Sequence, residues 1–301
     1  MTATIATPAA PASSSTDGRR GAGRPAGLAA RLRTLPWGVL VASALLVLLL
    51  LVVAFPGLFA SRGPLDADPL RVFLPPGHGG LLGTDQLGRD VWSRVVYGAR
   101  YSVLIAVSAT ALGVLAGVLL GLLAGLGGRV TDEVTARGLD VVAAFPAILL
   151  AIVLVTIVGP GIPTVIVALA IASVPRYARI VRAETHVVRR SAYVEQSVTF
   201  GLRRTTLVAR HVLPHAVVSV PILATIGLGT SILAASSLSF IGLGPKPPSP
   251  EWGAMLADGR NYLQNAWWIS VFPGVAIVLV VLSVSVVGRW LQRRFEHREH
   301  A

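Results

Sequence analysis

The chain has 301 residues, 53% hydrophobic and only 13% charged, with a mean hydropathy of +0.71, a balance that excludes an ordinary soluble domain and points to an integral membrane protein. It has no cysteine, which rules out disulfide staples, thiolate metal sites and cysteine nucleophiles. The formal charge of +12 would suit nucleic acid, but the sided distribution of the cations described below accounts for it and removes nucleic acid as a partner.

Residues 1–36, rich in Ala, Pro, Ser, Thr and Gly with five arginines, read as a disordered leader. The following apolar run is longer than the core of a cleaved signal peptide. Stretches free of Asp, Glu, Lys and Arg run from Val39 to Ser61, Tyr101 to Gly128, Val141 to Pro175, His211 to Pro245 and Asn261 to Gly288, each long enough to span a bilayer as a helix. The first predicts a transmembrane helix over residues 37–60, and residues 61–100 then form an extracytoplasmic segment. Within that segment "GTDQLGRD" offers Asp85, Arg89 and Asp90 for local pairing, while Gly83 and Gly88 permit tight turns, so the motif reads as a cap over helix ends.

The third run would be about 52 Å long as one straight helix. "GPGIP" at 159–163 interrupts it, and a helix does not pass such a string undisturbed. The run therefore predicts a helical hairpin whose second arm borrows "RYARIVRA", with Arg176 and Arg179 snorkelling toward headgroups. The result is an all-α membrane protein with six transmembrane helices, a five-helix core over 101–291 and a short tail at 292–301. Trp252, Trp267 and Trp268 read as interfacial anchors, and "GPKPPSPEWGAM" as a rigid proline-rich loop.

With the amino terminus in the cytoplasm, 19 of the 26 basic residues fall on inside segments and 7 outside. The positive-inside rule then puts both termini in the cytoplasm and accounts for the net charge. The runs assigned to helices two, three, five and six contain no Asp, Glu, Lys or Arg, so the usual mark of ion-coupled transport is missing. There is no phosphate-binding loop, since the lone Lys246 precedes Pro247, and no HExxH or GxSxG string. No catalytic, cofactor or metal site is expected in the chain, and His211 and His215 read as polar residues at a helix end.

The stretch "YVEQSVTFGLRRTTLVARHVLPHA" at 193–216 lies in the largest inside loop, 184–213. It is too polar to span a bilayer and too patterned to be a linker. Tyr193, Val194 and Val198 form an apolar strip, and Gly201 a break. An arginine-rich helix lying on anionic lipid and a docking helix for a soluble partner explain it equally well on physical grounds.

"YVEQSVTFG" followed by "HVLPHA" resembles the EAA loop of permeases from binding-protein-dependent ABC importers. "LLGTDQLGRDVWSRVVYGARYSVLIAV", "DVVAAFPAILLAIVLV" and "SLSFIGLGPKPPSPEWGAML" resemble the second permease subunit of the dipeptide, oligopeptide and nickel importer family, in family order from Leu82 to about Gly288. The resemblance implies a coupling helix that seats on an ATPase. Tyr193 opens that block, Glu195 takes the glutamate position, Gly201 the glycine, and Leu213 with Pro214 the terminal pair. Gln196 and Ser197 stand where the family usually has alanines, and Ala235 where relatives often carry an acid.

The same resemblance implies a heterodimer with a homologous permease, two ATPase subunits that hold ATP and Mg, an extracytoplasmic solute-binding protein, and a multi-pass location in the bacterial cytoplasmic membrane. It also gives Asp85 and Arg89 a second reading, as docking groups for the binding protein. A self-sufficient secondary transporter and a scaffold without transport are the alternatives from other classes.

Overall fold

In the computed structural model of the chain, the residues described are 36–191 and 204–299. Five of the expected coupling residues, Tyr193, Glu195, Gln196, Ser197 and Gly201, lie outside them. The described residues form helices joined by turns.

Helix α1 (Trp37–Ala54) is apolar on every side, and of its side chains only Val39 and Ala42 are buried, as suits a span facing lipid. It stops before Pro56, whose ring disfavours helical backbone at Phe55, and a single turn at Pro56–Phe59 follows. The next long helix, α2 (Val91–Leu126), has 36 residues, about 54 Å, and so exceeds the apolar thickness of a bilayer. It starts ten residues before the charge-free run, because Arg94 is buried in its second turn and Arg100 is exposed in its third. Asp90 caps it, accepting from the Ser93 amide and hydroxyl at 2.9 and 2.7 Å.

The expected third helix is not one rod. α3 (Arg129–Ala144) and α4 (Ala147–Val158) meet at a bend of 87°. The break between them is local: Pro146 holds Phe145 extended, at φ −87° and ψ 135°. The predicted hairpin turn does fall at Gly159–Gly161, with Gly159 at φ +102°, and α5 (Ile162–Arg189) forms the second arm through "RYARIVRA". Arg176 and Arg179 are both exposed, and Arg179 also reaches Asp140 of α3 at 2.8 Å.

Beyond the undescribed loop residues the chain passes through Arg204–Leu207, a π-helical turn at Val208–Val212 and a further turn at Leu213–Ala216. The widening has a cause in Pro214, which lacks an N–H for the Arg210 carbonyl and crowds it. Then come α6 (Val220–Phe240), the short α7 (Trp252–Gly259) and α8 (Trp268–Glu299). Among the described residues five helices are long and apolar enough to cross a membrane, and six if the bent α3–α4 pair counts as one span. The difference matters, since six spans return the chain to the side from which it started.

Two apolar clusters hold the bundle. One gathers Val91, Ala99, Trp252, Met255 and Trp268 between α2, α7 and α8, with Leu46 and Leu49 of α1 against it. The other joins Ile105 and Ala109 of α2 to Val155 of α4, Leu169 of α5 and Ala235 of α6. The position where relatives often carry an acid is thus filled by a methyl group packed on apolar neighbours. The tightest contact is α2 against α5. Gly113, Gly117, Gly121 and Gly125 form one stripe of α2 facing Ser173, Tyr177, Ala178, Val181 and Thr185 of α5, which lets two backbones come together where lipid offers no hydrophobic drive.

Candidate functional site

The loop after α5 is pinned at its base. Val188, at the end of α5, and Val212, in the π-helical turn, are buried against one another with Leu126 and Leu207 packed alongside. Arg189 donates from Nη1 to the carbonyls of Gly125 and Gly127 at 3.4 Å each, placing a cation on the orphan acceptors at the end of α2. Leu213 is half-buried and Pro214 exposed. These two are the members of the expected coupling set that the structure describes, and they sit on the return limb beside the pinned base.

A second contact steadies the approach to the loop. Arg182 of α5 grips Asp132 of α3 with two hydrogen bonds, Nε to Oδ1 at 2.5 Å and Nη2 to Oδ2 at 2.9 Å. His186 lies 3.4 Å from the same carboxylate. A fork-to-fork pair fixes orientation as well as distance, so α3 and the last turns of α5 are held in register.

At the other end of the bundle the "GTDQLGRD" residues form a buried polar knot. Asp85, fully buried, accepts from the Leu87 and Arg89 amides at 2.9 and 3.0 Å, from Arg89 Nε at 2.7 Å and from Arg94 Nη1. Gly83 and Gly88 have φ of +79° and +71°. A Cβ on Gly88 would collide with the Asp68 carbonyl, so the turn needs glycine twice over. Asp85, Arg89 and Asp90 are all buried within this one chain, and any partner would meet the loop's backbone and rim before their charges.

This end of the bundle holds further buried charges that sequence reasoning missed. Arg94 is 2% exposed and lies 3.9 Å from Asp258 of α7, whose carboxyl burial pushes up. Glu251 is fully buried, accepts from the Gly253 and Ala254 amides at 2.9 Å each and takes the Ser102 hydroxyl at 3.2 Å, thereby capping α7 and tying it to α2. Its only hint in the sequence is its place after the prolines, at the head of "EWGAML". Two of the three expected interfacial tryptophans are core residues instead: Trp252 donates to the Val95 carbonyl at 2.9 Å and Trp268 to that of Thr84 at 3.0 Å. Trp267 is the exposed one. Among the described residues no three His, Asp or Glu side chains gather as a metal would require.

Long apolar helices, a polar loop pinned at its base and a rigid cap at the other end suit a membrane-embedded subunit. Residues 117–300 match the family described as binding-protein-dependent transport system inner membrane component, and the chain belongs to that family: it is a permease subunit of an ABC importer and a multi-pass membrane protein. Among its relatives are a glutathione transport system permease protein of Shigella flexneri serotype 5b, 44% identical with 83% of each chain covered, and a dipeptide transport system permease protein of Alkalihalophilus pseudofirmus, 36% identical with 81% of this chain and 80% of that one covered. A probable D,D-dipeptide transport system permease protein of Escherichia coli K12 is also 36% identical, with 81% and 82% covered. In solved structures the fold is similar to a chain of the inward-facing MetNI methionine ABC transporter, with a TM-score of 0.54 and 19% identity over 67% of this chain and 95% of that one. A chain of an amino acid ABC transporter gives 0.52 and 15%, covering 67% and 94%.

Proposed function

We propose that this chain forms half of the translocation pathway of an ATP-driven importer for peptides or related small solutes in the bacterial cytoplasmic membrane. It pairs with a homologous permease, receives solute from an extracytoplasmic binding protein and is driven by two ATPase subunits, which hold ATP and Mg. The observation that carries this reading is the similarity, over about four fifths of the chain, to permeases named for dipeptide and glutathione transport.

The loop at 184–213 would be the contact with the ATPases. Glu195 and Gly201 would present and terminate a docking helix, Tyr193, Gln196 and Ser197 would lie on it, and Leu213 and Pro214 would anchor its return. Glu195→Arg reverses a charge on that surface, and Gly201→Val costs about 1–2 kcal/mol if the glycine is left-handed. Both variants are expected to insert and pair with the sister permease, yet to lose ATPase copurification or the coupling of hydrolysis to uptake. Wild-type uptake with normally bound ATPases in both would leave the segment as a helix lying on lipid. Uptake by the reconstituted complex without ATP would favour a secondary transporter.

The proposed orientation puts both termini in the cytoplasm, supported by the arginine distribution and by six spans when α3–α4 counts as one. In this cysteine-free chain, single cysteines at Ser14 and Ser191 are expected to react only with a reagent on the cytoplasmic side, and one at Ser249 only from outside. Labelling of Ser191 from outside would invert the topology.

A further inference from the structure

α5 and α6 carry the loop between them, yet apart from the loop base they touch sparingly, each packing along α2 instead. Inside the bundle they meet at the apolar cluster that holds Leu169 and Ala235 and, on the loop side of that cluster, at a buried tyrosine. Tyr177 of α5 is buried, its Cβ pressed on Gly117 of α2. Its hydroxyl occupies the space in which a Cβ on Gly227 of α6 would stand, with Thr110 of α2 at the edge of the same notch. The Thr110 and Ser231 hydroxyls share a hydrogen bond of 3.0 Å, closing the α2 to α6 side of the node.

The position of this node along α5 gives it a task. Pro175, two residues earlier, lies inside the helix and cannot donate to the Ile171 carbonyl, so α5 is weakest there. The half that follows leads to Arg189 and the loop. Tyr177 is the first large buried side chain beyond that weak point, and it reaches across to the limb by which the chain returns.

We infer that Tyr177 is a positioning residue for transport: seated in the Gly227 notch, it tethers the loop-side half of α5 to α6, so that the two limbs of the loop move as one body. The inference rests on the loop's being the point of coupling to the ATPases. Without the tether, a displacement of the loop would flex α5 at Pro175 instead of moving α6.

The test places spin labels at Val187 of α5 and Leu233 of α6, both exposed, in the complex with sister permease and ATPases in lipid nanodiscs. Distances are measured by double electron–electron resonance without nucleotide and after trapping with ATP, Mg and vanadate. The wild type is expected to give one narrow distribution, the same in both states. Tyr177→Ala removes the tether and Gly227→Ala expels the hydroxyl from its seat, so each is expected to broaden the distribution and to shift it on trapping. Tyr177→Phe combined with Gly227→Ala puts a methyl group where the hydroxyl was and is expected to restore the narrow distribution, a rescue that general destabilisation does not predict. A wild-type distance that shifts on trapping, a Tyr177→Ala distribution as narrow as wild type, or a double variant no narrower than Gly227→Ala would each overturn the tether. If the ATPases fail to bind the wild-type chain, the coupling assignment falls, while the nucleotide-free distributions still decide whether Tyr177 holds the limbs together.

Discussion

Gly121→Val is expected to cost about 2–3 kcal/mol or more, in the range of overpacked cores, and to leave little stable protein in the membrane. A Cβ at this position would stand 2.7 Å from the Ala178 carbonyl oxygen and 2.7 Å from Val181 Cβ. Neither is the end of a flexible side chain, so the helices themselves must part. The same holds one turn away on either side, where Gly117 faces Tyr177 Cβ at 2.5 Å and Gly125 faces Thr185 Cβ at 2.5 Å. A displacement at Gly121 therefore loosens the whole stripe, and in lipid the lost dispersion contacts are not offset by hydrophobic burial. Gly38→Val is the control, because nothing lies within 4 Å of its Cβ position. Melting of the detergent-solubilised protein, followed by size-exclusion chromatography, is expected to separate the two by a wide margin. Equal melting would mean that α2 and α5 do not depend on this approach.

Asp85→Asn, and more severely Asp85→Arg, is expected to destabilise the opposite end of the bundle by about 3–5 kcal/mol, the usual cost of removing one partner from a buried ion pair. The carboxylate serves two guanidinium groups, those of Arg89 and Arg94, which are 3% and 2% exposed, and it also satisfies two backbone amides. Without it both cations lose their nearest anion, and among the described residues Asp258, 3.9 Å from Arg94, is the remaining ion-pair partner of that residue. Yield and melting temperature are expected to fall together, with binding-protein-stimulated hydrolysis decreasing only as the folded fraction does. Normal melting with stimulation selectively abolished would show instead that Asp85 acts in docking.

Both predictions depend on features legible in the sequence only in part. The glycines of α2 recur every four residues, but that spacing names no partner, and α5 is recognisable as the partner only once Ala178 and Val181 are seen against it. The grouping of Asp85, Arg89 and Asp90 was visible because the three are close in sequence. The approach of Asp258 to Arg94 was not, since Asp258 comes from α7, 173 positions from Asp85.

By itself the sequence determined the membrane class, the apolar runs, the hairpin turn at Gly159–Gly161 and the family resemblance, because each rests on composition or short-range order. Hydropathy counts charges, and glycine and proline act on their immediate neighbours. Tertiary structure decided the rest. α2 begins at Val91 although Arg94 and Arg100 lie in its first three turns: Asp85 neutralises Arg94, and Arg100 is exposed, so a charge that ends a hydropathic run does not end the helix. Trp252 and Trp268 turn inward because backbone carbonyls of distant segments accept their indole N–H groups. Proline 146 announces a break, but the 87° between α3 and α4 is set by what each packs against, α3 through Asp132 and Arg182 and α4 through Ala151 and Val155. A local rule can mark where a chain bends, whereas the direction of the bend and the pairing of buried charge depend on contacts between residues far apart in sequence.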